Sequence, residues 1–182
     1  MTIKLVVGGL TLNIISAYAP QVGLDEETKR RFLEDLDEVV VSIPPTKKLF
    51  IGGDFNRHIG SVSTGYDELH GGFVFGYRNS RGASLLDFAK AFGLRVANSS
   101  FPKKEEHLVT FRSSRAATQI DFWLLRKDDK SLYKNCKVIP SEYLTTQHKL
   151  LVMDLEIRRE KKKRVVDDQP RIRWGCLTPS ST

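Results

Sequence analysis

Asp54 and Asn56 follow the apolar run Leu49-Phe50-Ile51 and the pair Gly52-Gly53, so a strand end carries a carboxylate and an amide to the rim of a sheet. Phosphodiester hydrolysis needs a carboxylate to orient a water and hydrogen-bond donors to hold a non-bridging phosphate oxygen, and this pair suits that reaction. An Asx turn explains the same two residues equally well, because Asp and Asn after Gly-Gly are common turn formers. Asp121 stands between Ile120 and Phe122 in an alternating segment, so its carboxylate faces away from those side chains. If that face is covered, the charge needs a partner. His148, in Thr146-Gln147-His148 ahead of the last apolar segment, is the candidate, since a carboxylate accepting from one imidazole nitrogen sets the tautomer and orientation of the other. The alternative is a solvated Asp121 beside Trp123, paired with an arginine. Asp-X-Asn, then Asp inside a strand, then His at the last strand is the order in which a metal-dependent phosphodiesterase deploys its polar groups.

Weaker candidates surround this set. Tyr18 closes Ser16-Ala17-Tyr18-Ala19-Pro20, where the proline ends the ladder and can turn a phenol into a cleft. Asn79 fits either a helix cap or a phosphate contact. Thr110-Phe111-Arg112 offers a ring and a guanidinium to a nucleic-acid groove, although an ordinary alternating strand accounts for it too.

The elements that must position these groups are readable from period and punctuation. Residues 3–7, Gly8-Gly9 and residues 10–18 spell a β-hairpin, the glycines supplying the positive φ of a tight turn. Asp25 caps a helix with Phe32, Leu33, Leu36, Val39 and Val40 on one face, ended by Pro44-Pro45. A strand over 48–52 leads to Asp54, residues 60–76 form a long surface loop, and a second helix runs over 80–92 with Gly93 at its end. Strands are expected at 94–98, 108–112, 119–125, 136–139 and 150–157. Helices interleaved with early strands, then a run of strands, indicate a layered α/β domain over 1–157. Residues 158–182 open on a basic run and show no amphipathic period, the pattern of a flexible tail.

Composition is ordinary for one globular domain, with 182 residues, 40% apolar and 28% charged. The net charge of +7 and pI near 9.5 favour a polyanionic partner. Cys136 and Cys176 follow no metal-ligand spacing and make no disulfide framework. No stretch approaches a membrane span and no secretory leader is visible, so an intracellular protein without a membrane partner is expected.

Taken together, Ser16-Ala17-Tyr18-Ala19-Pro20, Gly53-Asp54-Phe55-Asn56, Val109-Thr110-Phe111, Gln119-Ile120-Asp121-Phe122 and Gln147-His148 resemble the endonuclease/exonuclease/phosphatase superfamily. Tyr77-Arg78-Asn79-Ser80-Arg81-Gly82 and the segment 145–155 are similar to the craniofacial development protein 2-like branch, itself similar to endonuclease domains of RTE-type LINE retrotransposons. The resemblance implies a four-layered α-β-β-α sandwich of the DNase I-like kind, with magnesium in a cleft at the sheet rims and DNA, or RNA, as partner in the nucleus. Carried onto this chain, it makes Tyr18, Asp54, Asn56, Asp121 and His148 catalytic. Asp54 would orient the water, Asn56 and Tyr18 would contact the scissile phosphate, and His148, held by Asp121, would bind or protonate it. Asn79, Thr110 and Arg112 would contact the substrate.

Two departures temper the expected activity. The family's opening strands bear an Asn and a metal-binding Glu, whereas no acidic residue precedes Tyr18 here, so the fold is expected to be incomplete at its N-terminus. Many members also have Asp before the final His, where Gln147 stands as a weaker metal contact. The expectation is a magnesium-dependent DNA endonuclease-like domain of retrotransposon origin, weak or inactive in this form. The alternative is a non-catalytic nucleic-acid-binding remnant. A phosphatase of the same fold has no membrane-binding amphipathic helix to support it.

Overall fold

The computed structural model describes residues 1–21, 23–144 and 147–157. The basic run at 158–164 and Thr146 lie outside the described residues.

Strands β1 (Thr2–Val7) and β2 (Leu10–Tyr18) form the expected hairpin, with Val7 opposite Leu10. Gly8 and Gly9 take φ of 61° and 90°, the left-handed pair that such a two-residue turn requires. Helix α1 (Glu26–Val41) starts at Asp25, whose Oδ1 accepts the Thr28 N–H at 2.7 Å, and buries Leu36 and Val40. Strand β3 (Lys48–Asp54) runs parallel to β2, and helix α2 (Ser80–Ala91) buries Leu85, Leu86, Phe88 and Ala89. Then come β4 (Leu94–Val96), β5 (Phe111–Arg112), β6 (Ala117–Thr118), β7 (Asp121–Arg126), β8 (Tyr133–Tyr143) and β9 (Lys149–Leu155).

The central sheet has the order β1-β2-β3-β7-β4, while β5-β6 and β8-β9 are separate antiparallel pairs. Period-two alternation splits the core between two faces. Ile15, Leu49, Ile51, Phe122 and Leu124 meet both helices on one face. Leu12, Phe50 and Leu125 meet Tyr133 and Cys136 of β8 on the other, with Leu151 and Met153 of β9 packed alongside. The described residues thus build a helix layer, a central sheet and a second sheet. No α-helix among them covers the outer face of β8-β9.

Three expectations change. The strand foreseen over 108–112 shrinks to two residues, because Glu105–His107 forms a 3₁₀ turn and Thr110 turns its hydroxyl onto the backbone of the neighbouring strand. The strand foreseen over 94–98 stops at Val96, and the buried Asn98 side chain takes its place beside β7, donating to the Asp121 carbonyl and accepting the Trp123 N–H. Residues 60–76 do form a long irregular segment, yet Leu69, His70 and Val74 are buried within it. The His70 ring holds the loop together, Nε2 lying 2.7 Å from the Gly60 carbonyl and Nδ1 accepting from the Gly72 N–H.

Candidate active site

The site is a row across three strands. Parallel pairing sets Tyr18 beside Asp54, and antiparallel pairing sets Asp54 beside Asp121. All three positions therefore point to the face that carries the second sheet. Two glycines allow the strands to close up. A Cβ on Gly53 would stand 1.8 Å from the Ala17 carbonyl oxygen, and one on Gly52 would enter the Trp123 ring.

Asp54 is 8% exposed, and its Oδ1 accepts the Asn56 N–H at 2.8 Å. Asn56 takes φ of 50°, a left-handed conformation that Asn tolerates, and its Nδ2 donates to the Ala19 carbonyl at 2.9 Å. The Asx-turn geometry and the delivery of a carboxylate to the rim therefore coexist: the turn aims Asp54. His148 lies between the two carboxylates, Nδ1 3.2 Å from Asp121 Oδ2 and Nε2 3.8 Å from Asp54 Oδ2. The backbone around it runs beside β5: Phe111 bridges His148, Lys149 N–H donates to the Thr110 carbonyl, and the Phe111 ring meets the imidazole edge-on at 5.0 Å.

Burial pushes both carboxyls above the usual carboxylate range. For Asp54 the Asn56 N–H and the His148 charge oppose the rise, while Asp121 adds to it. For Asp121 a hydrogen bond with the Thr110 hydroxyl and the nearby His148 work against it. Asp54, Asp121 and His148 each offer a ligand atom within 4.8 Å of the others, a possible metal site. Two close carboxylates, both costly to ionise in place, are a donor set that a hard divalent cation fits, because its charge favours their ionised form.

Asp54 and His148 border a cleft of about 500 Å³, which is lined also by Tyr18, Asn56 and Gln147, together with Gln21, His58, Phe111, Thr118 and Ile120. Asp121, bonded to His148, is not among the residues that line it. Tyr18 is 66% exposed at the lip. Gln147 is exposed there, its carbonyl accepting the Arg112 N–H.

Three expected substrate contacts fall elsewhere. Thr110 is 0% exposed, its Oγ1 accepting the N–H groups of Ile120 and Asp121 at 3.0 and 3.1 Å, so it anchors the start of β7. Asn79 caps α2, Oδ1 accepting the Gly82 N–H at 2.8 Å, and is not among the cleft residues. Arg112 is exposed outside the cleft lining. His58 was not anticipated: it follows the Asx turn of Asp54 and Asn56, where the strand has ended and its period no longer assigns side chains to faces. Burial lowers its pKa.

A model of the endonuclease-reverse transcriptase family matches residues 12–152, a span that includes the whole row and His148. The chain belongs to that family. Craniofacial development protein 2 of Tragulus javanicus is 31% identical over 149 residues, covering 81% of this chain and 26% of that protein. The chain thus spans about a quarter of that relative's length. Solved structures with the same DNase I-like endonuclease/exonuclease/phosphatase fold include the endonuclease domain of TRAS1, a telomere-specific non-LTR retrotransposon. Its TM-score is 0.64 at 16% identity, over 87% of this chain and 62% of that one. The 3'-5' exonuclease NExo from Neisseria meningitidis has a TM-score of 0.59 at 15% identity, over 80% and 62% respectively. The domain therefore has a nuclease-type fold, and no helix among its described residues is long and apolar enough to cross a membrane.

Proposed function

We propose that this endonuclease-reverse transcriptase family domain is a magnesium-dependent phosphodiesterase of retrotransposon origin that nicks DNA, weakly as the 182-residue chain. The observation that carries the reading is the convergence of Asp54, Asp121 and His148 within 4.8 Å of one another, Asp54 and His148 lining the cleft and Tyr18 in register beside Asp54. Asp54 is the group that accepts a proton from the attacking water, its other oxygen being held by the Asn56 N–H. Protonated on both ring nitrogens, His148 donates from Nδ1 to Asp121 and offers its Nε2–H to a phosphate oxygen. The Tyr18 hydroxyl and the second Asn56 amide hydrogen face the same space and can donate to non-bridging oxygens. Asp54 would be the principal anionic ligand of the cation, with Gln147 adding a neutral oxygen. When bound, a divalent ion there supplies positive charge to the phosphate and the departing oxygen.

Weakness follows from the donor set. Asp121 is already engaged by His148, which leaves Asp54 to serve both as principal anionic ligand and as base. This same count favours the second reading, a non-catalytic nucleic-acid binder. A supercoiled plasmid decides between them. The expected result is slow nicking that needs magnesium and disappears in both Asp54→Ala and His148→Ala. Plasmid binding with no nicking at any magnesium concentration would establish the second reading, and rapid nicking would refute the weak metal site.

A further inference from the structure

On the far side of the stretch that supplies Asp54, Asn56 and His58, a second cavity of about 340 Å³ opens between the first turns of α1 and α2. Its walls include Glu26, Lys29, Arg57, Ser80 and Arg81. Arg57 alternates with its neighbours: Asn56 and His58 line the cleft and Arg57 lines this cavity. Gly82 lets α2 approach that closely, since a Cβ there would stand 1.8 Å from the His58 carbonyl oxygen.

Two nearly buried cations line this cavity. Lys29 is 7% exposed and Arg57 5%, and both are expensive to keep charged without anionic partners. Lys29 pairs with Glu26 at 2.7 Å, and Arg81 reaches the same carboxylate oxygen at 3.6 Å. Glu26 thus serves two cations from a side chain that is itself 82% exposed. Arg57 Nη1 donates to the Arg81 carbonyl, while its buried Nε has no hydrogen-bond partner. Burial and the Arg81 charge both lower the Arg57 pKa and Glu26 opposes them, so the charged guanidinium is costly where it lies and an anion in the cavity would offset that cost. Both helices also point their positive dipole ends here.

We propose that this cavity is a second phosphate site, which takes a backbone phosphate of the same nucleic-acid strand whose scissile phosphate lies in the cleft. The proposal rests on the nuclease reading for the source of the phosphate, but not for the chemistry of the site. Arg57, Lys29 and Arg81 supply charge-assisted donors, and Glu26 swings out to solvent as the phosphate enters. The stretch from Asp54 to His58 then separates two phosphate contacts by one thickness of backbone, fixing the register of the strand along the cleft.

The test uses the full chain in EDTA, titrated with inorganic phosphate and with a labelled DNA duplex at several salt concentrations. Glu26→Gln removes the internal competitor and should tighten both ligands about tenfold, a gain that misfolding cannot imitate. Arg81→Gln should weaken both about tenfold and reduce the salt slope of duplex binding by about one. Unchanged duplex affinity and slope in Arg81→Gln, with wild-type binding intact, would overturn the site and leave the nuclease reading standing. Phosphate binding that responds to both substitutions, in a chain that binds no DNA, would overturn the nuclease reading and the source of the phosphate together.

Discussion

Asp54 shows how one residue sets function against stability. Its carboxyl is buried and its pKa raised, so between the unfolded and folded pKa values the native state binds more protons than the unfolded chain. Stability therefore falls as pH rises through that window, and the full cost persists at neutral pH. Asparagine keeps an oxygen for the Asn56 N–H and removes the charge. Asp54→Asn should raise stability at neutral pH by about 0.5–2 kcal/mol while abolishing nicking. The gain should vanish near about pH 3, where the wild-type carboxyl is protonated in both states. Urea titrations of both proteins at the two pH values check this, and a less stable variant at neutral pH would show that the carboxylate is better compensated than its burial implies. Asp121 follows the same linkage, but its exchange with His148 would confound a substitution there.

At the scale of elements, the irregular segment over 60–76 depends on a histidine in one protonation state. Neutral His70 donates from Nε2 to the Gly60 carbonyl and accepts at Nδ1 from Gly72, and protonation would place two N–H groups face to face. Burial lowers its pKa below the ordinary 6.5, and His58 at the cleft is shifted the same way. As pH falls below about 6.5 the unfolded chain takes up protons first, so their contribution is complete above that value and is lost toward the folded pKa. The two carboxyls act at lower pH with the opposite sign. The urea midpoint should fall between about pH 7.5 and about pH 5.5, and the fall should shrink in His70→Gln. A midpoint independent of pH in the wild-type protein would rule out the neutral, two-bond role for His70. Gln119 ties the same segment to the site, its Oε1 accepting the Phe75 N–H just ahead of β7.

Across the whole molecule, the second core face is closed by β8 and β9, and Cys136 reports on that closure. The side chain is 2% exposed, and burial pushes the thiol up to about 12. A thiolate is the reactive form, so the native thiol is inert at neutral pH. In a Cys176→Ser background, alkylation of Cys136 should follow the rate of unfolding and rise in step with denaturant. Fast labelling in native buffer would mean that the β8-β9 layer opens independently of the central sheet. The same closure holds His148 against Asp121, so local opening would also predict an intermittently assembled site.

Much of the local structure was legible because its causes lie within a few residues. The Gly8-Gly9 turn, the Asp25 and Asn79 caps and the strand leading to Asp54 follow from backbone preferences and side-chain-to-backbone bonds of short range. The Asp121–His148 partnership was legible for another reason: a charge on a covered strand face needs a partner whatever the fold. Tertiary structure alone decided the rest. The strand register that aligns Tyr18, Asp54 and Asp121 joins segments far apart in sequence. The complete burial of Thr110 follows from the same approach of β7, which turns an expected substrate contact into an anchor. Which residues of 54–58 face the cleft and which the basic cavity was set by the left-handed turn at Asn56 and by where α1 and α2 came to rest. A period assigns residues to opposite faces; only packing determines what each face meets.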